Sequence, residues 1–246
     1  MNKLPRITAA FWVMKICATT LGETAGDLLS MTLNVGYAAS SLILIAVFLV
    51  TLAAQLASAR YHPLLYWTVI LSTSTAGTTM SDYMDRTLGL GYATGSAILL
   101  GILLAIFGLW RWSGISLSVE RIASRPVEAL YWTAILFSNT LGTALGDFLA
   151  DDSGLGFAGG ALLIGGLLAV VLVLHFATSL PKVLLFWVAF VLTRPFGATF
   201  GDVLTKPAEH GGLNLGTIGS SLVLLAILLV VIAKTGRQVE PATAVD

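Results

Sequence analysis

Eight apolar runs of about twenty residues alternate with short polar connections along this chain, and they are of two kinds. The second, fourth, sixth and eighth runs (about 34–57, 90–112, 155–176 and 214–233) carry no Asp, Glu, Lys or Arg, short of Arg111 at the edge of the fourth. The first, third, fifth and seventh (about 7–27, 63–83, 126–148 and 181–203) each end in an aspartate. Stepping back from that aspartate by fours keeps to one face of a helix. The first run then reads Asp27, Glu23, Thr19, Lys15, and the third reads Asp82, Thr78, Ser74, Ile70. The fifth reads Asp147, Thr143, Asn139, Ile135, and the seventh Asp202, Ala198, Arg194, Phe190. About twenty apolar residues cross the hydrocarbon core of a bilayer, so the pattern predicts eight transmembrane helices, four of them with a polar stripe.

The stripes belong to a repeat. Gly22–Asp27 reads GETAGD, Gly77–Asp82 GTTMSD, Gly142–Asp147 GTALGD and Gly197–Asp202 GATFGD. Trp12, Trp67, Trp132 and Trp187 each stand ten residues before the opening glycine, and Gly36, Gly91 and Gly156 open a GYA or GFA nine residues after the first three aspartates. The fourth copy instead has a longer connection, KPAEHGGLN, before Leu215-Gly216. The chain is therefore predicted to be a single transmembrane domain over 1–246, with repeats at about 7–57, 63–112, 126–176 and 181–233. Two spans per repeat give all four the same orientation, related about an axis along the membrane normal.

Composition agrees with a membrane protein: 57% of residues are hydrophobic, 11% are charged, and the mean hydropathy is +0.90. A net charge of zero argues against nucleic-acid binding, which needs a basic footprint. The one cysteine, Cys17, excludes an internal disulfide. The basic and then apolar N-terminus is interrupted by Lys15 and lacks a small-residue cleavage site, so it is taken as a retained span. Nine Lys and Arg lie in the terminal segments and even-to-odd connections: Lys3, Arg6, Arg60, Arg111, Arg121, Arg125, Lys182, Lys234 and Arg237. The odd-to-even connections carry two, Arg86 and Lys206. The bias predicts cytoplasmic termini and external aspartates in a bacterial inner membrane. The tryptophans, roughly 22 Å back along the helix from the aspartates, are expected at the cytoplasmic interface.

Through its four tryptophans and its G-x-x-x-[GS]-D motifs, almost the whole chain resembles an uncharacterised family of bacterial membrane proteins with four tandem repeats. Each repeat there has two transmembrane regions and a conserved tryptophan. The resemblance implies the architecture and brings no activity.

Charge in hydrocarbon is costly, so the striped odd helices are expected to surround a central polar path and the even helices to face lipid. The motif's first and fifth positions, glycine or serine, would let neighbouring backbones approach. Four carboxylates around an outer vestibule, with Thr19, Thr78, Thr143, Ser74 and Asn139 below, suit a hard cation held by oxygen. His62, His175 and His210 lie at span ends or in connections and do not form a zinc or copper set. Glu23 is the one acid of its tier; a buried glutamate that exchanges a proton for a cation is the least that proton coupling requires. Lys15 and Arg194 are its candidate counter-charges, and a plain buried ion pair is the structural alternative. Asp85 and the pair Asp151-Asp152 are expected at a solvated outer surface. No H-E-x-x-H, G-x-S-x-G or paired G-x-G-D pattern supports an enzyme.

The expectation is a transporter of a cation, a divalent metal such as Mn²⁺ or Mg²⁺, with Glu23, Asp27, Asp82, Asp147 and Asp202 as metal ligands and no resident cofactor. The alternatives are a proton-coupled carrier of small organic cations and a non-transporting structural membrane protein. Partners are the bilayer and the transported cation, with homo-oligomerisation left open.

Overall fold

A computed structural model describes residues 5–114, 117 and 124–236, without the His210 side chain. Lys3, Arg121 and Arg237, counted above for orientation, lie outside the described residues. The described chain is all-helical. Its eight long helices are α1 (Ala9–Asp27), α2 (Tyr37–Ala57), α3 (Pro63–Asp82), α4 (Tyr92–Trp112), α5 (Arg125–Asp147), α6 (Gly156–Ala177), α7 (Lys182–Thr205) and α8 (Thr217–Gly236). Five of them, α2, α4, α6, α7 and α8, are long and apolar enough to cross a membrane. Helices α1, α3 and α5 fall short of that apolarity because they carry the Thr, Ser, Asn and acidic residues of the stripe.

Local chemistry sets the helix ends. Pro63 and Pro126 occupy the first turns of α3 and α5, where a missing N–H costs little, and the Thr8 hydroxyl accepts from Phe11 N–H at 3.4 Å to cap α1. After Asp27, Asp82 and Asp147 the chain continues as one π-helical turn (Leu28–Thr32, Tyr83–Thr87, Phe148–Asp152). Each even helix then starts beside a glycine at positive φ: Gly36, Gly91, Gly156 and Gly216, between +67° and +81°. Asn34, Gly89, Gly154 and Asn214 adopt positive φ two residues earlier, so the last step into each even helix has the same backbone form in all four repeats.

The odd helices form a closed ring in which α1 packs on α3, α3 on α5, α5 on α7 and α7 on α1. The motif glycines make the ring directional. A Cβ on Gly22 would strike the Ser74 side chain, and one on Gly26 would lie 2.8 Å from Thr78 Cβ. Gly77 faces the Asn139 backbone in the same way, Gly142 and Gly146 face Arg194 and Ala198, and Gly197 and Gly201 face Thr19 and Glu23. The glycines of each odd helix are thus the socket for the polar stripe of the next, which makes the four helices parallel and in register.

The even helices sit outside the ring, each against the odd helix that follows it: α2 on α3, α4 on α5, α6 on α7, and α8 back on α1. A repeat therefore does not close on itself as a compact hairpin. Its second helix covers its neighbour, and α8 completes the circle.

The tryptophans are not the interface anchors expected from the sequence. Trp67 and Trp132 are fully buried and Trp187 nearly so, and only Trp12 is partly open. An aromatic precedes each one (Phe11, Tyr66, Tyr131, Phe186), and the pairs meet across the ring. Tyr66 and Tyr131 share a hydroxyl–hydroxyl hydrogen bond of 2.9 Å, and the Tyr66 ring lies 5.4 Å from that of Trp132. This aromatic plug fills the end of the ring where the odd helices start.

Candidate cation site

At the other end the stripe folds into buried charge. Glu23, Asp27, Asp82, Asp147 and Asp202 are each at most 3% exposed, so the aspartates lie beneath the surface and do not rim an open vestibule. No aspartate side chain caps the π turn that follows it, although that turn starts beside it in three repeats.

Arg194 occupies the axis. Its aliphatic stem lies in the gap left by Gly142, and its guanidinium reaches the other three odd helices. Nη2 donates to Glu23 Oε2 on α1 at 2.9 Å, to Thr78 Oγ1 on α3 at 2.6 Å and to Thr143 Oγ1 on α5 at 2.6 Å. The Ser74 carbonyl accepts at 3.4 Å. Thr78 also lies within hydrogen-bond reach of Glu23 Oε2, at 3.3 Å. The centre expected to be a polar path is polar but filled. Of the two counter-charges proposed for Glu23, Arg194 is its partner. Lys15 makes no ion pair among the described residues; its fully buried Nζ sits 3.9 Å from the centroid of the Phe190 ring.

Two cations that the stripe does not include complete the site. Lys206, just beyond α7, donates to Asp27 Oδ2 at 2.6 Å, and lies 3.2 Å from Asp202 Oδ1 without hydrogen-bond geometry. Arg86, in the π turn after α3, pairs with Asp82 at 2.9 Å and reaches Asp147 at 3.5 Å. Each stands four residues after its own aspartate, and Met31 and Asp151 hold the equivalent places in the other two repeats. The fourfold ring of carboxylates is therefore divided into two clamped pairs, α7 with α1 and α3 with α5. Burial works to lower the pKa of Lys206, but Asp202 and Asp27 outweigh it and hold the amine well above its ordinary value. Burial, Asp82 and Asp147 act in the same opposing senses on Arg86, with the same outcome.

Five carboxylates face three cations here, which leaves two negative charges unbalanced if all are ionised. Glu23, Asp147 and Asp202 each place a carboxylate oxygen within 4.8 Å of the other two. Oxygens on opposite sides of an ion lie about 4.0–4.2 Å apart around Mg²⁺ and about 4.6–5.2 Å apart around Ca²⁺. Three ligands cannot all lie opposite one another, so these oxygens must draw closer together to converge on one hard divalent ion. Asp27 and Asp82 are not part of this group of three; they hold the clamping cations.

The deeper polar residues do other work. Thr19 donates to the Thr193 carbonyl at 3.1 Å, binding α1 to α7, and Asn139 Nδ2 donates to Thr73 Oγ1 at 2.9 Å, binding α5 to α3. The Ser74 hydroxyl has no partner among the described residues. Asp85, expected on a solvated surface, is instead buried; it accepts from Ser81 at 3.2 Å, and burial pushes its carboxyl up. Asp151 and Asp152 are exposed, as expected.

A model of a four-times-repeated unit matches residues 10–61, 65–116, 130–180 and 185–235, each match covering one odd and one even helix. The chain belongs to the DUF347 family, described as a Repeat of Unknown Function. No curated protein and no solved structure matches it. The distinctive chemistry of this DUF347 chain lies in its buried carboxylates and the cations that hold them.

Proposed function

We propose that this protein is a transporter of a divalent metal cation, with Mn²⁺ or Mg²⁺ the favoured class and Glu23, Asp147 and Asp202 the ligands. The observation that carries the reading is a buried group of five carboxylates held by only three cations, in which Glu23, Asp147 and Asp202 bring oxygens within 4.8 Å of one another. A buried charge must be neutralised or paired, and a divalent ion supplies two positive charges at once to oxygen ligands that suit it.

In this reading all eight helices cross a bacterial inner membrane as one bundle, with the even helices facing lipid and the less apolar α1, α3 and α5 shielded among them. The described end that carries Arg6, Arg60, Arg111, Arg125, Lys182 and Lys234 is cytoplasmic by the positive-inside rule, and the aspartates face outward. Lys206 and Arg86 act as tethered cations already seated on the ligands. An entering ion takes the place of Lys206 on Asp202 and of Arg86 on Asp147. The Lys206 side chain, 22% exposed and anchored at one end only, is the group free to swing away. Glu23 then exchanges between Arg194 and the ion, and a proton can follow in the opposite direction. Release toward the termini requires the aromatic plug to part.

Lys206 also favours a second reading. Its primary ammonium, held between Asp27 and Asp202, resembles a bound organic ammonium, so the same pair suits a small amine. Flux into liposomes holding the purified chain separates the two, with Mn²⁺, Mg²⁺, Ca²⁺ and methylammonium offered in turn. Saturable metal flux that is lost in Asp147→Asn supports the metal reading. Flux of methylammonium alone supports the second, and no flux of any cation would leave a structural membrane protein.

A further inference from the structure

The bundle's outer surface is interrupted between α6, α7 and the start of α1. A groove of about 540 Å³ runs there, walled by apolar residues such as Trp12, Leu168, Leu172, Phe186 and Ala189. Thr193 closes its deep end, and Lys182 and His175 stand at its mouth.

The same place is filled by the chain elsewhere in the fold. Nineteen residues after the turn glycine, α2 has Gln55, which donates to Glu128 of α5 at 3.1 Å. At that position α4 has Trp110, fully buried with its ring 5.8 Å from Trp187 of α7. In α8 that position is Thr235, whose hydroxyl donates to the Val231 carbonyl at 2.8 Å, and the preceding Leu228 and Ile232 are buried in the core, whereas their α6 equivalents Leu168 and Leu172 line the groove. In α6 the residue is His175, which stacks edge-on against its own neighbour Phe176 and has no hydrogen bond among the described residues. Phe176 is 80% exposed. The α6 seam thus lacks a buried side chain of this kind.

We infer that this groove holds one acyl chain of an anionic phospholipid, with the headgroup phosphate at Lys182. Three observations fix the occupant. The walls are apolar along their length, as a hydrocarbon chain requires. From Lys182 to Thr193 the helix rises roughly 16 Å, close to the ~15 Å that one leaflet of a hydrocarbon core measures. And the mouth opens at the basic end of the molecule, where Glu128, itself buried, is the one acid among the described residues. A second helix of protein would need more width and would gain nothing from the cation at the rim. The site is independent of any ion bound in the ring.

The test uses the full chain in vesicles of equal parts phosphatidylglycerol and phosphatidylcholine, extracted in mild detergent and weighed by native mass spectrometry. The wild type is expected to retain about one phosphatidylglycerol per chain, in preference to phosphatidylcholine. Ala189→Trp fills the groove and should abolish retention; Ala169→Trp, from the exposed opposite wall, does the same if the first variant fails to fold. Lys182→Gln should keep a lipid but lose about fivefold in headgroup preference, the factor that ~1 kcal/mol per basic side chain near an anionic surface corresponds to. Equal retention of both lipids by the wild type, or unchanged retention in the tryptophan variants, overturns the inference. So does a wild-type dimer that carries no lipid and that the tryptophan variants break.

Discussion

The two ends of the ring are closed by different chemistry, although the same four helices build both. At the starts of the odd helices, aromatic pairs bury against one another, and Tyr66 and Tyr131 share a hydroxyl–hydroxyl hydrogen bond across the ring. At the aspartate end, five buried carboxylates are held by Arg194, Arg86 and Lys206, none of which is a symmetric feature of the repeat. Packing of the first kind is indifferent to cations. Closure of the second kind is an arrangement of charge that another cation can join or replace. A shared scaffold can thus hold one end shut by shape and the other by exchangeable charge, and the departures from symmetry mark the end that is free to respond.

The contrast is broken most severely by removing Arg194. Arg194→Leu leaves Glu23 buried without its partner, and loss of one member of a buried ion pair costs about 3–5 kcal/mol. Thermal unfolding in detergent should show this, and adding Glu23→Gln should recover much of it. At the opposite end, Trp132→Ala should cost a similar ~3–5 kcal/mol through the cavity it leaves, yet leave cation affinity of the folded fraction unchanged. If both variants changed affinity alike, the two ends would not be separable.

Smaller effects sharpen the ring itself. Gly142→Ala drives a methyl into the Arg194 stem and should destabilise by about 1–3 kcal/mol, whereas Gly101→Ala on α4, with nothing within 4 Å, should be neutral or slightly stabilising. The comparison is read from the two melting temperatures.

The smallest effect is that of pH on the clamps. A group whose folded pKa is raised gives its full stabilisation below its unfolded value, about 10.4 for lysine, and loses it only as pH climbs through the folded value. Asp202 and Asp27 raise that of Lys206, so the clamp is at full strength at both pH 7 and pH 9. The difference in melting temperature between wild type and Lys206→Gln should therefore be the same at those two pH values. A difference that shrinks at pH 9 would mean that the amine is not held by its aspartates.

Much of this was legible in the sequence because it repeats. The Trp, Gly and Asp offsets gave the four units, and the step of four from each aspartate picked out the residues that share the ring. What the linear pattern could not show is which helices touch. Arg194 meets Glu23, Thr78 and Thr143 only because α7 closes on α1 and the axis lies within its reach, a fact of tertiary geometry. The packing of each even helix on the next odd one was hidden for the same reason. Taken alone, the tryptophans suggest interface anchors; the aromatic before each one is the signal that they form pairs in a core. Arg86 and Lys206 stand in connections, yet their spacing of four from Asp82 and Asp202 is itself the mark of an i, i+4 pairing.

The central claim is that Glu23, Asp147 and Asp202 together hold one divalent cation. Isothermal titration of the purified chain with Mn²⁺ tests it most directly, run beside Glu23→Gln, Asp147→Asn and Asp202→Asn, with the exposed Asp152→Asn as control. The account predicts one saturable site per chain in the wild type and the control, lost or weakened at least about tenfold (~1.4 kcal/mol) in each of the three ligand variants. Binding that survives all three substitutions, or that falls equally in the control, would contradict it.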